Sequence, residues 1–322
     1  MSRLAAQRDT FADALVRLGT QNDRVLVLDA DLASSSKLNL FADAHPDRFF
    51  QMGIAEQNMV GTAAGLASMG FVPFVNTFAA FASKRVTDQL RICCAQPGLP
   101  VKVIAAYSGL LAGKTGKTHQ SVQDIAIMRA MPNMTVVAPG DAVEAAKLCF
   151  AAADYPGPIY LRLTRDPAPV VFDESYDFRI GKAVVVREGT DVTIVTTGLM
   201  LGRAVEAAET LAAEGISAHI LHVATLKPLD EEAIVAAAQK TGLVVTAEEH
   251  TILGGLGGAV AETLGEHLPT LMTRVGIKDT FGESAPNDAL LEKYGLTPAH
   301  IARAARRLLE TRARVAKAKE LL

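Results

Sequence analysis

Residues 53–59 read Gly-Ile-Ala-Glu-Gln-Asn-Met, and from Gln57 to Ser83 no residue carries a charge. Glu56 therefore stands alone at the head of a long uncharged run. The spacing predicts a helix over Glu56–Ser68, with Gly61, Ala64, Gly65 and Ser68 forming one small face. A carboxylate in the first turn complements the positive end of the helix dipole, so helix electrostatics alone would account for it. The run is long enough to cross a bilayer, and Gly61 and Gly65 make a G-x-x-x-G pair of the membrane type. Gly70 and Pro73 interrupt it, however, and Asn76 and Thr77 set polar groups near its centre. The segment reads as a helix, a short buried strand and a second helix over Thr77–Cys94. The small face of the first helix suits a buried interface between subunits more than contact with lipid.

Working outward, continuous apolar runs at Val25–Leu28, Val101–Ala106, Thr135–Ala138 and Ile159–Leu163 suggest parallel strands covered on both faces. Helical patterns at Ser121–Met131 and Ala142–Ala153 lie between them, and the alternation is that of an α/β domain. A proline-bearing, acidic stretch from Asp166 to Asp177 follows, with no sustained period. A second alternation then begins: strands Val192–Thr196, Ser217–His222 and Leu243–Thr246, with helices Leu201–Glu214, Asp230–Thr241 and Leu256–Gly265. The chain closes on a basic amphipathic helix, Ile301–Leu322, whose cations read as a solvated face. The expected fold is α/β, with two doubly wound domains at 1–168 and 181–322 joined by a linker at 169–180.

At 322 residues the chain exceeds one typical core, and its formal net charge of −3 gives no basic footprint for nucleic acid. Cys93, Cys94 and Cys149 are odd in number and lack metal-ligand spacing, which suits reduced thiols in a cytoplasmic protein. Met1–Leu18 carries Asp9 and Asp13 and no apolar run, unlike a signal peptide. Two glycine-rich decoys fail on spacing. Gly113-Lys114 and Gly116-Lys117 would need glycine at 108 or 111 to form a phosphate loop, where Ser108 and Leu111 stand. Gly255-Leu256-Gly257 has Val260 in place of the third glycine of a dinucleotide fingerprint.

The Gly53–Met59 run, together with residues further along, resembles the transketolase family over essentially the whole chain. The first half is similar to its pyrimidine-binding domain and the second to its C-terminal domain. The resemblance implies that Glu56 is the catalytic Glu, which bonds N1′ of the thiamine diphosphate aminopyrimidine and promotes the tautomer that activates the cofactor. It implies that Phe78 and Phe81 enclose the pyrimidine and that Asp31 lies near the cofactor. Thr118-His119-Gln120 is similar to the family's T-H-Q, which places His119 over the reacting carbons of the substrate. Arg8, Ser35 and Arg165 match contacts to the substrate phosphate, a task suited to the planar guanidinium fork. Lys227-Pro228-Leu229-Asp230 and Glu248-Glu249-His250 resemble landmarks of the C-terminal domain, to which no chemistry is assigned.

The departures carry information too. Tyr107 stands where many transketolases have a phosphate-contacting His, Lys114 and Thr115 replace a Glu-Asp pair, and Lys84 replaces a third aromatic. The Asp of that pair reads a donor hydroxyl in the family, so Thr115 implies a donor other than the usual xylulose 5-phosphate, for instance a branched ketose such as apulose 4-phosphate. The chain has no Gly-Asp-Gly motif with a downstream Asn for Mg2+ and the cofactor diphosphate. The expectation is the C-terminal subunit of a split transketolase, working with a separate N-terminal subunit in an α2β2 heterotetramer. The β subunit of a 2-oxo-acid dehydrogenase first component shares the GI-x-E-Q run and two-domain plan. A non-catalytic stabilising partner is the reading of another class, and retention of Glu56, Phe78 and Phe81 argues against it.

Overall fold

The computed structural model describes residues 3–320. A seven-stranded sheet runs in the order Thr225–Lys227, Thr135–Val137, Ile159–Arg162, Lys102–Ala106, Val72–Phe78, Val25–Asp29, Phe49–Gln51. Its strands are parallel except Thr225–Lys227, which pairs antiparallel with Thr135–Val137. The strands Val25–Asp29, Val72–Phe78, Lys102–Ala106 and Ile159–Arg162 are buried at every residue, as helices on both faces require. Register pairs Asp29 with Asn76, Phe78 with Ala106 and Ala105 with Arg162. The carboxyl ends of four adjacent strands thus open on one crevice, where parallel α/β sheets bind ligands.

The second sheet, ordered Leu271–Ile277, Leu243–Thr251, Val192–Thr196, Ala218–His222, Val184–Arg187, is parallel apart from its last strand. Helix Glu56–Ser68 turns Met59, Val60, Ala63 and Ala67 inward. Burying a side chain the size of Met59 contributes about 1.5–3 kcal/mol. The opposite face, with Gly61, Gly65 and Ser68, is open, and a β-carbon on either glycine would meet nothing within 4 Å.

Three expectations change. The helix read over Thr77–Cys94 is a strand through Phe78, one turn at Ala79–Ala82, a break, then Thr87–Gln89 and a π-helical stretch Leu90–Ala95. Thr77 and Phe78 find backbone partners in Ala105 and Ala106, and that pairing outweighs the helical pattern of an all-apolar run. The strand begun at Leu243 does not stop at Thr246 but continues to Thr251, carrying Glu248, Glu249 and His250 into full burial. Their charges suggest a strand end, yet each side chain finds backbone partners inside. The Met1–Leu18 region holds an unforeseen helix, Gln7–Gln21, with Phe11, Ala14, Leu15 and Leu18 buried against helix Ala142–Asp154. The segment after Asp166 packs on the first half: Ala168–Pro169 pairs with Leu4–Ala5, and Asp141 Oδ2 accepts from Val171 N and Phe172 N, both at 2.8 Å.

Cys94 and Cys149 are buried and all three cysteines are free; burial pushes the Cys94 thiol up to about 12. Among the described residues, no helix is long and apolar enough to cross a membrane.

Candidate active site

Glu56 opens its helix and is 1% exposed, after a turn in which Gly53 takes a left-handed φ of 67°. Its Oε1 accepts from Arg85 Nη1 at 2.5 Å and from Thr77 Oγ1 at 3.5 Å. Oε2 is equally buried and has no partner. A buried carboxylate oxygen without a donor is costly, and such exceptions point to a ligand or a catalytic role. Arg85 is 42% exposed at its side chain and lies with Cζ 4.2 Å from the Phe81 ring centre. One cation thus pins one oxygen of Glu56 and covers the neighbouring aromatic, leaving the other oxygen for a ligand.

The aromatic wall beside it is built from two strand ends and a loop. Phe78 stacks on Tyr107 with ring centres 4.3 Å apart and on Phe81 at 6.0 Å. His119 stands edge-on to both phenylalanines, at 6.0 and 5.6 Å, and its Nδ1 is 2.8 Å from Thr118 Oγ1. Tyr107 takes a left-handed φ of 56°, which turns the chain sharply where the strand Lys102–Ala106 ends. Its hydroxyl accepts from Arg8 Nη1 at 3.2 Å and donates to the Ser35 carbonyl at 3.3 Å, and Arg8 Nη1 also donates to that carbonyl at 2.9 Å. Arg165 Cζ lies 5.3 Å from the Tyr107 ring centre, and its Nε is buried with no hydrogen-bond partner, 3.8 Å from Asp166 Oδ1. Two guanidinium groups therefore meet at one phenol, an arrangement suited to an anion.

Through Arg85, Glu56 joins Phe78, Phe81, Tyr107, His119, Arg8, Ser35 and Arg165 in one continuous set of contacts, with Ser35 entering through its backbone carbonyl. Asp31 and Thr115 stand apart. The Asp31 side chain is exposed, and only its backbone N–H is engaged, donating to Gln51 Oε1 at 2.9 Å. Thr115 is exposed in a short turn, and its hydroxyl donates to Ala112 O at 2.6 Å. Lys84 is exposed beside Arg85.

Three residues that organise this crevice are given no role by the sequence. Arg85 is one, four residues beyond Phe81 and carrying no motif. Asp29 is another: it is buried, accepts from Leu32 N, Ala33 N and Gln51 Nε2 through Oδ2, and from Asn76 Nδ2 at 2.5 Å through Oδ1. Its place at the end of an apolar strand, three residues before a helical turn, is the available signal. The third is Glu249, which reaches the 107–119 loop from the second half of the chain.

The description "Transketolase, pyrimidine binding domain" fits residues 4–170, and "Transketolase, C-terminal domain" fits residues 181–301. The chain belongs to the transketolase family. It is 46% identical over 303 residues to the 6-deoxy-6-sulfo-D-fructose transketolase subunit SqwH of Clostridium sp. (strain MSTE9), covering 94% of each chain. It is 37% identical to an apulose-4-phosphate transketolase subunit of Phocaeicola vulgatus, over 92% of this chain and 95% of that one. A solved structure described as a split gene transketolase, inactive beta4 tetramer, superposes with a TM-score of 0.89 at 48% identity, over 95% of this chain and 98% of the other.

Family membership makes this a transketolase-type transferase and implies thiamine diphosphate as cofactor. The residues present fit the pyrimidine end of that group: a buried, unpartnered Glu56 Oε2 lies beside an aromatic wall.

Proposed function

We propose that this chain is the catalytic C-terminal subunit of a two-chain transketolase that moves a two-carbon ketol unit from a ketose phosphate to an aldose phosphate. The observation that carries the proposal is the unpartnered Oε2 of Glu56, buried in a helix's first turn beside Phe78 and Phe81. Thiamine diphosphate, when bound, supplies the carbon nucleophile and electron sink that the chain lacks. Glu56 Oε2 holds the proton exchanged with N1′ of the aminopyrimidine, while Arg85 and Thr77 keep Oε1 in place. Phe78 and Phe81 orient the ring and exclude water. His119 moves protons at the oxygen of the substrate carbonyl. Arg8 and Arg165, with Tyr107 and the Ser35 carbonyl, hold the anionic end of the sugar.

Mg2+ and the cofactor diphosphate fall to the partner N-terminal subunit, because this chain lacks the Gly-Asp-Gly motif. The open face of Gly61, Gly65 and Ser68, flanked by Ile54 at 75% and Met69 at 74% exposure, supports self-association within an α2β2 assembly. The neighbour described as a beta4 tetramer supports the same view. The two named relatives are transketolase subunits, which favours this reading over a 2-oxo-acid dehydrogenase β subunit. Their names also concern a sulfonated ketose and a branched-sugar phosphate, which supports a donor other than xylulose 5-phosphate.

The test is reconstitution with the partner subunit and a donor panel. Arg165→Ala should chiefly raise KM for phosphorylated sugars, by the equivalent of about 1.5–3 kcal/mol for a lost charge-assisted bond. Equal losses on phosphorylated and unphosphorylated sugars would remove its anion-binding role. Thr115→Asp should shift relative kcat/KM toward xylulose 5-phosphate, because an aspartate can accept a charge-assisted bond that a threonine engaged by its own turn cannot. Unchanged preference would mean that Thr115 does not read the donor.

A further inference from the structure

The loop carrying Tyr107 and His119 is held from the other half of the chain. Glu249 is buried in strand Leu243–Thr251, and its Oε1 accepts from the backbone N–H groups of Leu110 at 2.6 Å and Leu111 at 3.1 Å. Two successive N–H groups converging on one carboxylate oxygen form an anion nest. Here the protein fills it with its own side chain. Gly109 lies against the same carboxylate with φ 77°, and an added β-carbon would fall 2.5 Å from Glu249 Cδ. Only glycine permits both that backbone angle and that approach.

The second half grips the loop at further points. Gln120 Nε2 bridges Leu110 O, at 3.1 Å, and Glu283 O, at 3.0 Å. Asn287 Nδ2 donates to Leu111 O at 3.3 Å and to Asp166 Oδ2. A β-carbon on Gly113 would come within 2.6 Å of Ala285 O. The strand bearing Glu249 is itself anchored, because Arg162 Nη2 donates to the Glu249 carbonyl at 2.9 Å while its Nε binds Asp124 at 2.9 Å. Burial pushes the Glu249 carboxyl up, and Arg162, Arg203 and the Leu110 and Leu111 N–H groups oppose that rise. An acid group in such a place depends on the donors that meet it. Carboxylate and loop conformation therefore depend on each other.

We propose that Glu249 is a positioning residue for the transfer reaction: by fixing Leu110 and Leu111 it sets where Tyr107 and His119 stand against Phe78 and Phe81. The C-terminal domain then takes part in substrate recognition as well as assembly. This rests on the reading that Tyr107 and His119 meet the sugar.

The experiment uses the reconstituted two-subunit enzyme and compares wild type with Glu249→Gln, Glu249→Ala and Gly109→Ala. Amide hydrogen exchange over residues 107–120 is read beside donor kcat and KM. Glu249→Ala should accelerate exchange at Leu110 and Leu111 and lower donor kcat/KM by at least about tenfold. Glu249→Gln, whose side-chain carbonyl still accepts both N–H groups, should stay near wild type. Gly109→Ala should reproduce the alanine effect from the loop side, and it carries the test if Glu249→Ala fails to fold. Unchanged exchange over 107–120 in a folded variant overturns the proposal outright. Faster exchange with unaltered donor kcat/KM overturns the positioning role while the clamp itself stands. Tyr107→Phe, measured alongside, separates that failure from failure of the underlying reading, which would leave this variant at wild-type kcat/KM as well.

Discussion

Glu56→Gln should lower turnover of the reconstituted enzyme by at least the ~10²-fold typical of a lost acid–base group, with fold and assembly intact. The change is isosteric, and the amide oxygen can still accept from Arg85 and Thr77, which hold Oε1 in the wild type. What it removes is a carboxyl oxygen at the unpartnered Oε2 position, the atom proposed to exchange a proton with the cofactor. An amide NH2 there can donate a hydrogen bond but cannot move a proton at neutral pH. The measurement is kcat with saturating cofactor and donor, with subunit assembly checked by light scattering. Near-normal kcat would sink the assignment of Glu56.

Activity should be absent from the purified chain and appear only when the N-terminal subunit is added. Transketolase chemistry needs the diphosphate anchored as firmly as the pyrimidine, since orientation of the bound group supplies much of the rate. This chain offers Glu56, Phe78 and Phe81 for one end and no Gly-Asp-Gly motif for the other. Among the described residues, no group of three or more His, Cys, Asp or Glu side chains is placed to hold a metal ion. Calorimetry on the isolated chain should therefore show weak binding of thiamine diphosphate with Mg2+, and a coupled assay should show no transfer. Tight cofactor binding by the chain alone would show that the division of labour between two subunits is wrong.

The parallel strands, the α/β class and the helix Glu56–Ser68 were legible because continuous apolar runs and a clean helix period are local properties. The ends of elements were not. Phe78 belongs to a strand because Ala106 lies beside it, and nothing within residues 72–83 announces that partner. Asp31 against Asp29 makes the same point at the crevice. Asp29 ends the strand that Asp31 follows, and only Asp29 is drawn inward, by four donors that come from residues 32, 33, 51 and 76. Arg85 and Glu249 act through contacts 29 and about 139 residues away in sequence, beyond the reach of any spacing rule. Glu249 leaves a buried charge as its physical trace, and Arg85 a contact with one in Glu56, and both become visible only in three dimensions.

The strand Thr225–Lys227 lies in the second half of the chain yet forms the edge of the first half's sheet. Lys227 strengthens the join by donating to the carbonyls of Arg129 and Met131, at 2.9 and 2.6 Å. Cutting the chain near residue 180 would therefore not yield two tidy modules. The front piece would bare the hydrogen-bonding edge of Thr135–Val137, whose residues are all buried in the whole chain, and such an edge recruits other strands. Swapping C-terminal domains between relatives carries the same hazard unless residues 225–227 travel with the front half. A chimera that precipitates would then report a torn sheet edge and say nothing about which sugar the enzyme prefers.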